Sequence, residues 1–290
     1  MSHSALNHLA LQEKTRREIL HKSDLIPPLP DLVARLLALL YKQDTEPRDL
    51  ELLLQNDQVL VAKMLAMVNS PFYGLNRAIS TVKDAVMVLG FRGLRSLVLA
   101  TSTAKFMQRD FSCYGHDAKG LWLHAICVAG GARALARRCR LGAEAAEQLF
   151  VGGLLHDIGK MLLVTYLSEA GQSVQQATDI CEVERQLLGL DHTEAGALVT
   201  AKWNLTKEIQ AVVGAHHHGD RTTGVAIVRL ADAIAHELGT GFLPGRVPQH
   251  QADPADLATL GIDEAAWPAV RDELAAVMEE AVLALGNIGA

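Results

Sequence analysis

Surplus positive charge is what this sequence most clearly lacks: 27 Lys and Arg face 33 Asp and Glu, a formal charge of −6. A surface that grips nucleic acid neutralises phosphates with surplus Lys and Arg, so a broad nucleic-acid surface is excluded, although a local basic patch is not. Aromatic residues make up only 4%, which leaves the 49% hydrophobic content mainly to Leu, Ala and Val and favours helices. The four cysteines, Cys113, Cys127, Cys139 and Cys181, form no Cys-x-x-Cys pair and are too sparse for a disulfide framework. Reduced thiols and a cytoplasmic location are expected. Residues 1–12 show neither a basic stretch followed by an apolar core nor a cleavage site of small residues, so no secretory signal is expected. No uncharged apolar run reaches bilayer-spanning length; residues 32–40 are apolar but short, and Arg35 interrupts them. Sustained alternation of period two, fixed-length repeats and low-complexity tracts are missing too. The expected class is all-α, with 290 residues enough for one large domain or two closely packed lobes.

What is present is helical periodicity. Residues 1–23, rich in Glu, Lys and Arg, read as an N-terminal helical extension. Pro27, Pro28 and Pro30 then exclude continuous helix, because each lacks an N–H and pushes its predecessor toward an extended conformation. Helix restarts at Asp31, where Leu32, Val33, Leu36, Leu37 and Leu40 recur at three- and four-residue intervals. Further helices fit 48–54, with Pro47 in the first turn, and 59–68. A loop at 69–74 follows, then helices at 81–89, closed by Gly90, and at 92–106. These make a first lobe over 24–110 that carries no cluster of catalytic residue types.

The polar stretch 110–120 separates it from a second lobe over 111–240. Helices there fit 121–138, 143–165, 179–188, 193–202, 207–217 and 225–238, with Gly159 kinking or ending the second of them. Gly130-Gly131 inside the first of these implies close packing against a neighbouring helix, since each glycine costs about 1 kcal/mol relative to alanine. A region at 241–290 completes the chain, with a loop over 239–252 and one or two closing helices over 264–285.

The chemistry concentrates in the second lobe. Leu154-Leu155-His156-Asp157-Ile158-Gly159-Lys160 sets an imidazole and a carboxylate inside an apolar run. Burying a carboxylate without a partner costs several kcal/mol or forces protonation, so a hydrogen-bond network or a cation is implied. His124, His192, His216, His217 and Asp232, each also set among apolar residues, are candidates to complete that site. Iron, manganese or zinc accepts imidazole nitrogen and carboxylate oxygen, and a helical scaffold aims several such groups at one point. Any one of these residues alone is more simply a hydrogen-bonded core or capping group. Their order on successive helices is what points to a shared site. Trp122 and Trp203 read as core anchors, and Cys127 as a small hydrophobe. His116-Asp117 imitates the central dipeptide from a glycine-flanked loop, without helical presentation.

The series His124, His156-Asp157, Asp232 resembles the HD-domain metal-dependent phosphohydrolases. The resemblance to the HDOD branch is closer, through Pro27-Pro28-Leu29-Pro30, Asn69-Ser70-Pro71-Phe72-Tyr73-Gly74, Leu89-Gly90 and the His-Asp-Ile-Gly stretch. Asp191 to Ala197, Lys202-Trp203-Asn204-Leu205 and His216-His217-His218 add to it, so that it covers about residues 24–240. It implies a two-lobed helical bundle with an HD-like C-terminal lobe, and a regulatory module of bacterial signalling that binds a protein partner or a nucleotide-like ligand away from membranes. It also implies one or two divalent ions of Fe, Mn, Ni or Zn. His124, His156 and Asp232 match ligands of a first ion, and His192, His216 and His217 match additional ligands of the related HD-GYP phosphodiesterases, with Asp157 between the two. Asp157 and Lys160 are the implied catalytic residues if the site is an active phosphohydrolase. Lys160, Arg133 and Lys202 can each position a phosphate, and solvated surface is the ordinary alternative for all three. The Gly-Tyr-Pro loop of the HD-GYP enzymes is absent after His218, so their cyclic-dinucleotide hydrolysis does not carry over.

Overall fold

The structure is a computed structural model that describes residues 12–20, 28–42, 44–55, 57–169, 174, 177, 179–245 and 251–287. Helix α1 holds residues 12–20, and the rest of the expected N-terminal extension, 1–11 and 21–23, lies outside the described residues together with Pro27. Four helices follow: α2 (Asp31–Leu40), α3 (Pro47–Leu54), α4 (Gln58–Val68) and α5 (Val82–Met107). The apolar stripe of α2 buries Val33, Leu36, Leu37 and Leu40. Pro47 opens α3 inside a capping box made by Glu46 and Asp49, and Asp57 caps α4 through the Leu60 amide. The two helices expected around Gly90 are one element with a break. Gly90 adopts φ 67° and ψ 175°, a conformation open to glycine and strained for other residues.

The second half contains α6 (Gly120–Arg138), α7 (Ala143–Leu155), α8 (Lys160–Glu169), α9 (Ile180–Leu188) and α10 (His192–Lys202), followed by α11 (Lys207–Ala215) and α12 (Thr223–Glu237). Two closing helices, α13 (Pro254–Thr259) and α14 (Trp267–Leu285), complete it, and residues 246–250 of the expected loop before them lie outside the described residues. Among the described residues there is no strand; one isolated bridge pairs His116 with Phe242.

Helix α6 is the axis of the molecule. Leu121, Trp122, Ala125, Ile126 and Ala129 join a core shared with α2–α5, while Val128, Ala132, Leu135 and Ala136 join one shared with α12 and α14. His124, carried by this helix, is fully buried. The close packing expected at Gly130-Gly131 is found: added Cβ atoms there would lie 2.8 Å from Ala281 Cβ and 2.6 Å from Met278 Sδ of α14.

Val82–Met107 and Ala143–Ser168 are long and apolar enough to cross a bilayer by length and composition. Both carry charged residues, such as Arg92 and Asp157, so neither is the uncharged run that residue order also fails to show. The apolar windows are 56% and 89% buried inside the fold, and the second stretch spans α7, α8 and the turn between them.

Candidate metal centre

The expected helix over 143–165 is interrupted at the residues that matter. Residues 156–159 form a turn between α7 and α8, so His156 and Asp157 project from a helix junction rather than from a continuous helix. Only glycine fits at position 159 of this turn, because a Cβ there would collide with the His192 carbonyl at the start of α10. That close approach brings His192 alongside Asp157. The Asp191 carboxylate holds the α10 terminus by accepting hydrogen bonds from the amides of Thr193 and Glu194.

All seven candidate residues meet around two carboxylates. His192 Nε2 lies 3.4 Å and His216 Nε2 3.8 Å from Asp157 Oδ1; His156 Nε2 lies 3.3 Å and His124 Nε2 3.9 Å from Asp157 Oδ2. Asp232 Oδ1 is 3.0 Å from His124 Nε2 and 3.6 Å from His156 Nε2. Donor atoms of Asp157, His192, His216 and His217 all fall within 4.8 Å of one another. Six of the seven are at most 2% exposed, and His217 is half-buried.

Three imidazoles are oriented by the nitrogen that faces away from the carboxylate. Nδ1 of His156 lies 2.7 Å from the Gly153 carbonyl, Nδ1 of His216 lies 2.8 Å from the Val213 carbonyl, and Nδ1 of His192 lies 2.7 Å from Glu184 Oε2. Those acceptors hold a proton on Nδ1 and aim Nε2 at the carboxylates, the orientation of a metal-ligating histidine held by a second partner. Nε2 of all three is buried without a hydrogen bond, as is Asp157 Oδ1. Buried polar atoms are ordinarily paired, so four unpaired ones facing each other fit a divalent ion.

Charge is arranged accordingly. Burial pushes the Asp157 carboxyl up, but the Lys160 ammonium, whose Nζ is 2.6 Å from Oδ2, and His156 outweigh it and hold the group well below the usual carboxylate range. Asp232 is likewise held well below that range, burial being outweighed by His236, His124 and His156. Burial lowers His216 to about 4 and leaves it neutral near pH 7. His192 goes the other way: burial opposes its charge, but Glu184 raises it well above its ordinary value.

Several expectations need correction. Lys160 is buried against Asp157 rather than solvated. Arg133 is buried as well, its guanidinium 4.1 Å from the Phe72 ring centroid and 3.5 Å from Glu147, while Lys202 is exposed as expected. His116 is non-helical, as its loop implied, but it is 1% exposed and its ring lies 5.8 Å from that of His124. Trp122, Trp203 and Cys127 are core residues.

Residue order also passed over Glu184 and His236. Glu184 accepts from Tyr114 Oη at 2.6 Å and from the His192 amide at 2.8 Å, and its signal was an acid on the buried Cys181, Glu184, Leu188 stripe of α9. His236 stands one turn beyond Asp232 on α12, with Nε2 3.5 Å from Oδ1.

A helical protein whose central helix and helix junctions converge on histidines and aspartates has the architecture of the HD class. The HDOD domain family matches residues 26–219, and the chain belongs to it. An uncharacterized protein of Treponema pallidum (strain Nichols) is 25% identical over 247 residues, covering 82% of this chain and 46% of that protein. The chain thus spans about half the length of that curated relative. A Shewanella amazonensis SB2B crystal structure with a provisional phosphohydrolase name shares 25% identity at a TM-score of 0.71, over 94% of this chain and 98% of that one. A Marinobacter aquaeolei VT8 structure, provisionally named a signal transduction protein, shares the fold at a TM-score of 0.73 with 20% identity, over 98% of this chain and 66% of that one.

Proposed function

We propose that the chain is a regulatory HDOD module of bacterial signalling, working in the cytoplasm, in which lobes over 24–110 and 111–240 present a surface to a protein partner or nucleotide-like ligand. In this reading His124, His156, Asp157, His192, His216, His217 and Asp232 hold one or two divalent ions of Fe, Mn, Ni or Zn, and the ions lock the helices of the second lobe together. The observation that carries it is the combination of a full donor set with its burial: six of seven donors are at most 2% exposed. Asp157 is 1% exposed, and Lys160 is committed to Asp157 Oδ2 at 2.6 Å. The provisional signalling name of the Marinobacter protein agrees with this reading.

The second reading, a metal-dependent phosphohydrolase acting on a nucleotide or phosphodiester, is favoured by the same complete donor set and by the provisional name of the Shewanella protein. A bound divalent ion lowers the pKa of a coordinated water and screens phosphate charge. Asp157 and Lys160 are the catalytic residues there: Asp157 orients the attacking side, and Lys160 leaves it to meet a phosphate oxygen. Metal analysis of protein purified without added metal, followed by assay against bis-p-nitrophenyl phosphate with manganese and iron, separates the two. The regulatory reading expects metal with background hydrolysis. Hydrolysis abolished in both His156→Ala and Asp157→Ala overturns it.

A further inference from the structure

We infer that Asp179, Cys181 and His218 form a separate cation site, outside the seven-residue centre, for a borderline-soft divalent ion of the zinc class. It shares no donor with that centre and stands whether or not the centre is filled. The carboxylate, thiol and imidazole donors of these three residues all lie within 4.8 Å of one another. Two helix ends bring them together: Asp179 and Cys181 open α9, and His218 follows the His216-His217 pair at the end of α11. Around tetrahedral zinc, with bonds of about 2.3 Å to sulfur and 2.0–2.1 Å to nitrogen or oxygen, donors lie roughly 3.4–3.6 Å apart, so closure by about 1 Å forms the site. Asp179 and His218 have exposed side chains that can make this movement, while Cys181 is 2% exposed and anchors it.

Sulfur distinguishes this set. The centre around Asp157 and Asp232 offers only nitrogen and oxygen, whereas a thiolate selects zinc and softer ions over manganese or magnesium. Cys181 Sγ lies 3.9 Å from His192 Nδ1, but that nitrogen directs its proton to Glu184 Oε2 at 2.7 Å and offers the thiol no lone pair. No other hydrogen-bond contact of the thiol exists among the described residues, and a buried polar group in that position is relieved by an ion. The start of a helix favours the thiolate, and binding releases the thiol proton to solvent. The same sulfur is also within reach of Glu184 and His192. That alternative set is already occupied: Glu184 Oε1 accepts from Tyr114 Oη at 2.6 Å, and Oε2 accepts from the His192 amide and Nδ1 at 2.8 and 2.7 Å. An ion there breaks three buried hydrogen bonds. Asp179 gives up none, because Oδ1 accepts from the Glu182 amide at 2.9 Å and Oδ2 remains for the ion. Three protein donors leave a fourth position for water.

Cobalt titration of the reduced, chelator-treated full chain tests this, because a cobalt-thiolate bond adds an intense near-ultraviolet charge-transfer band that nitrogen and oxygen donors do not give. Of the four cysteines, only Cys181 belongs to a three-donor group among the described residues, so the band has one source. The parent chain is expected to show it and to lose it when zinc, but not magnesium, is added. Cys181→Ser is expected to abolish the band. His218→Ala, at an exposed position, is expected to weaken binding of this ion by more than the roughly 10–100-fold that loss of a supporting hydrogen bond costs. Asp179→Asn keeps a helix cap and is expected to weaken it as well. Circular dichroism checks the fold of each variant. A parent chain without the band, a band that survives Cys181→Ser, or parental affinity in both His218→Ala and Asp179→Asn overturns the inference; the last result moves the ion to Glu184 and His192. Cobalt bound with no sulfur band leaves the seven-residue metal reading standing. A sulfur band as the sole cobalt signal removes that reading while this site remains.

Discussion

Helices α2–α5 and α6–α12 differ in the kind of buried polar group they carry and in how those groups are satisfied. In α5, Thr101 donates to the Leu97 carbonyl, Ser102 to Val98 and Thr103 to Leu99, each reaching back four residues along its own helix. Asn69 closes the loop before α5 by donating to the Leu65 and Ile79 carbonyls and accepting from the Ile79 amide. Across α6–α12 local pairs such as Lys160 with Asp157 are joined by partners from distant segments, Tyr114 with Glu184 and His124 with Asp232, which tie Asp157 into a network of buried charges. Local pairing survives the loss of one neighbour. A long-range network of charges does not, since each deletion strands a partner in a low-dielectric interior.

That contrast can be pressed hardest at Asp157. In metal-free protein, Asp157→Ala leaves the Lys160 ammonium buried and uncompensated and is expected to lower stability by about 4 kcal/mol in urea denaturation. Adding Lys160→Met to Asp157→Leu is expected to recover most of that loss, because an apolar pair leaves no stranded charge. A single variant no weaker than a surface substitution would dissolve the distinction between the two halves. Leu97→Ala, at a fully buried position of α5, is expected to cost about 3 kcal/mol through lost contacts and a cavity, with metal content unchanged. Metal loss in that variant would mean the halves are coupled more tightly than their polar networks indicate.

Smaller effects sharpen the comparison. Asn69→Ala removes three hydrogen bonds confined to residues 65–79 and is expected to cost about 2 kcal/mol, read from the urea midpoint, with no change in metal affinity. Thr222→Ala removes the side chain that caps α12 at the Val225 amide. About 1 kcal/mol is expected there, and because α12 carries Asp232, metal affinity should fall with it. An equal loss of metal affinity in Asn69→Ala would contradict the division.

Most helix boundaries were legible because they obey short-range rules. The apolar stripe of α2, Pro47 at the start of α3 and the breaks at Gly90 and Gly159 each involve residues within a turn or two of one another. The central dipeptide and its distant companions were legible for a related reason: charged and imidazole groups at apolar positions advertise a burial that must be compensated. Their family pattern then tied them together. Lys160 was legible as a motif residue, but its burial against Asp157 was not, because a lysine at the start of a helix is ordinarily solvated.

His236, Glu184 and His116 show where residue order runs out. Nothing in the three residues between Asp232 and His236 reveals that Phe242 folds back over the imidazole, and nothing around Glu184 announces Tyr114 as its partner. Helical period, capping and the polar intrusions into apolar runs are properties of neighbours along the chain, so composition and spacing carry them. Which carboxylate faces which imidazole depends on helices tens of residues apart meeting around α6, and that is set by how their side chains pack.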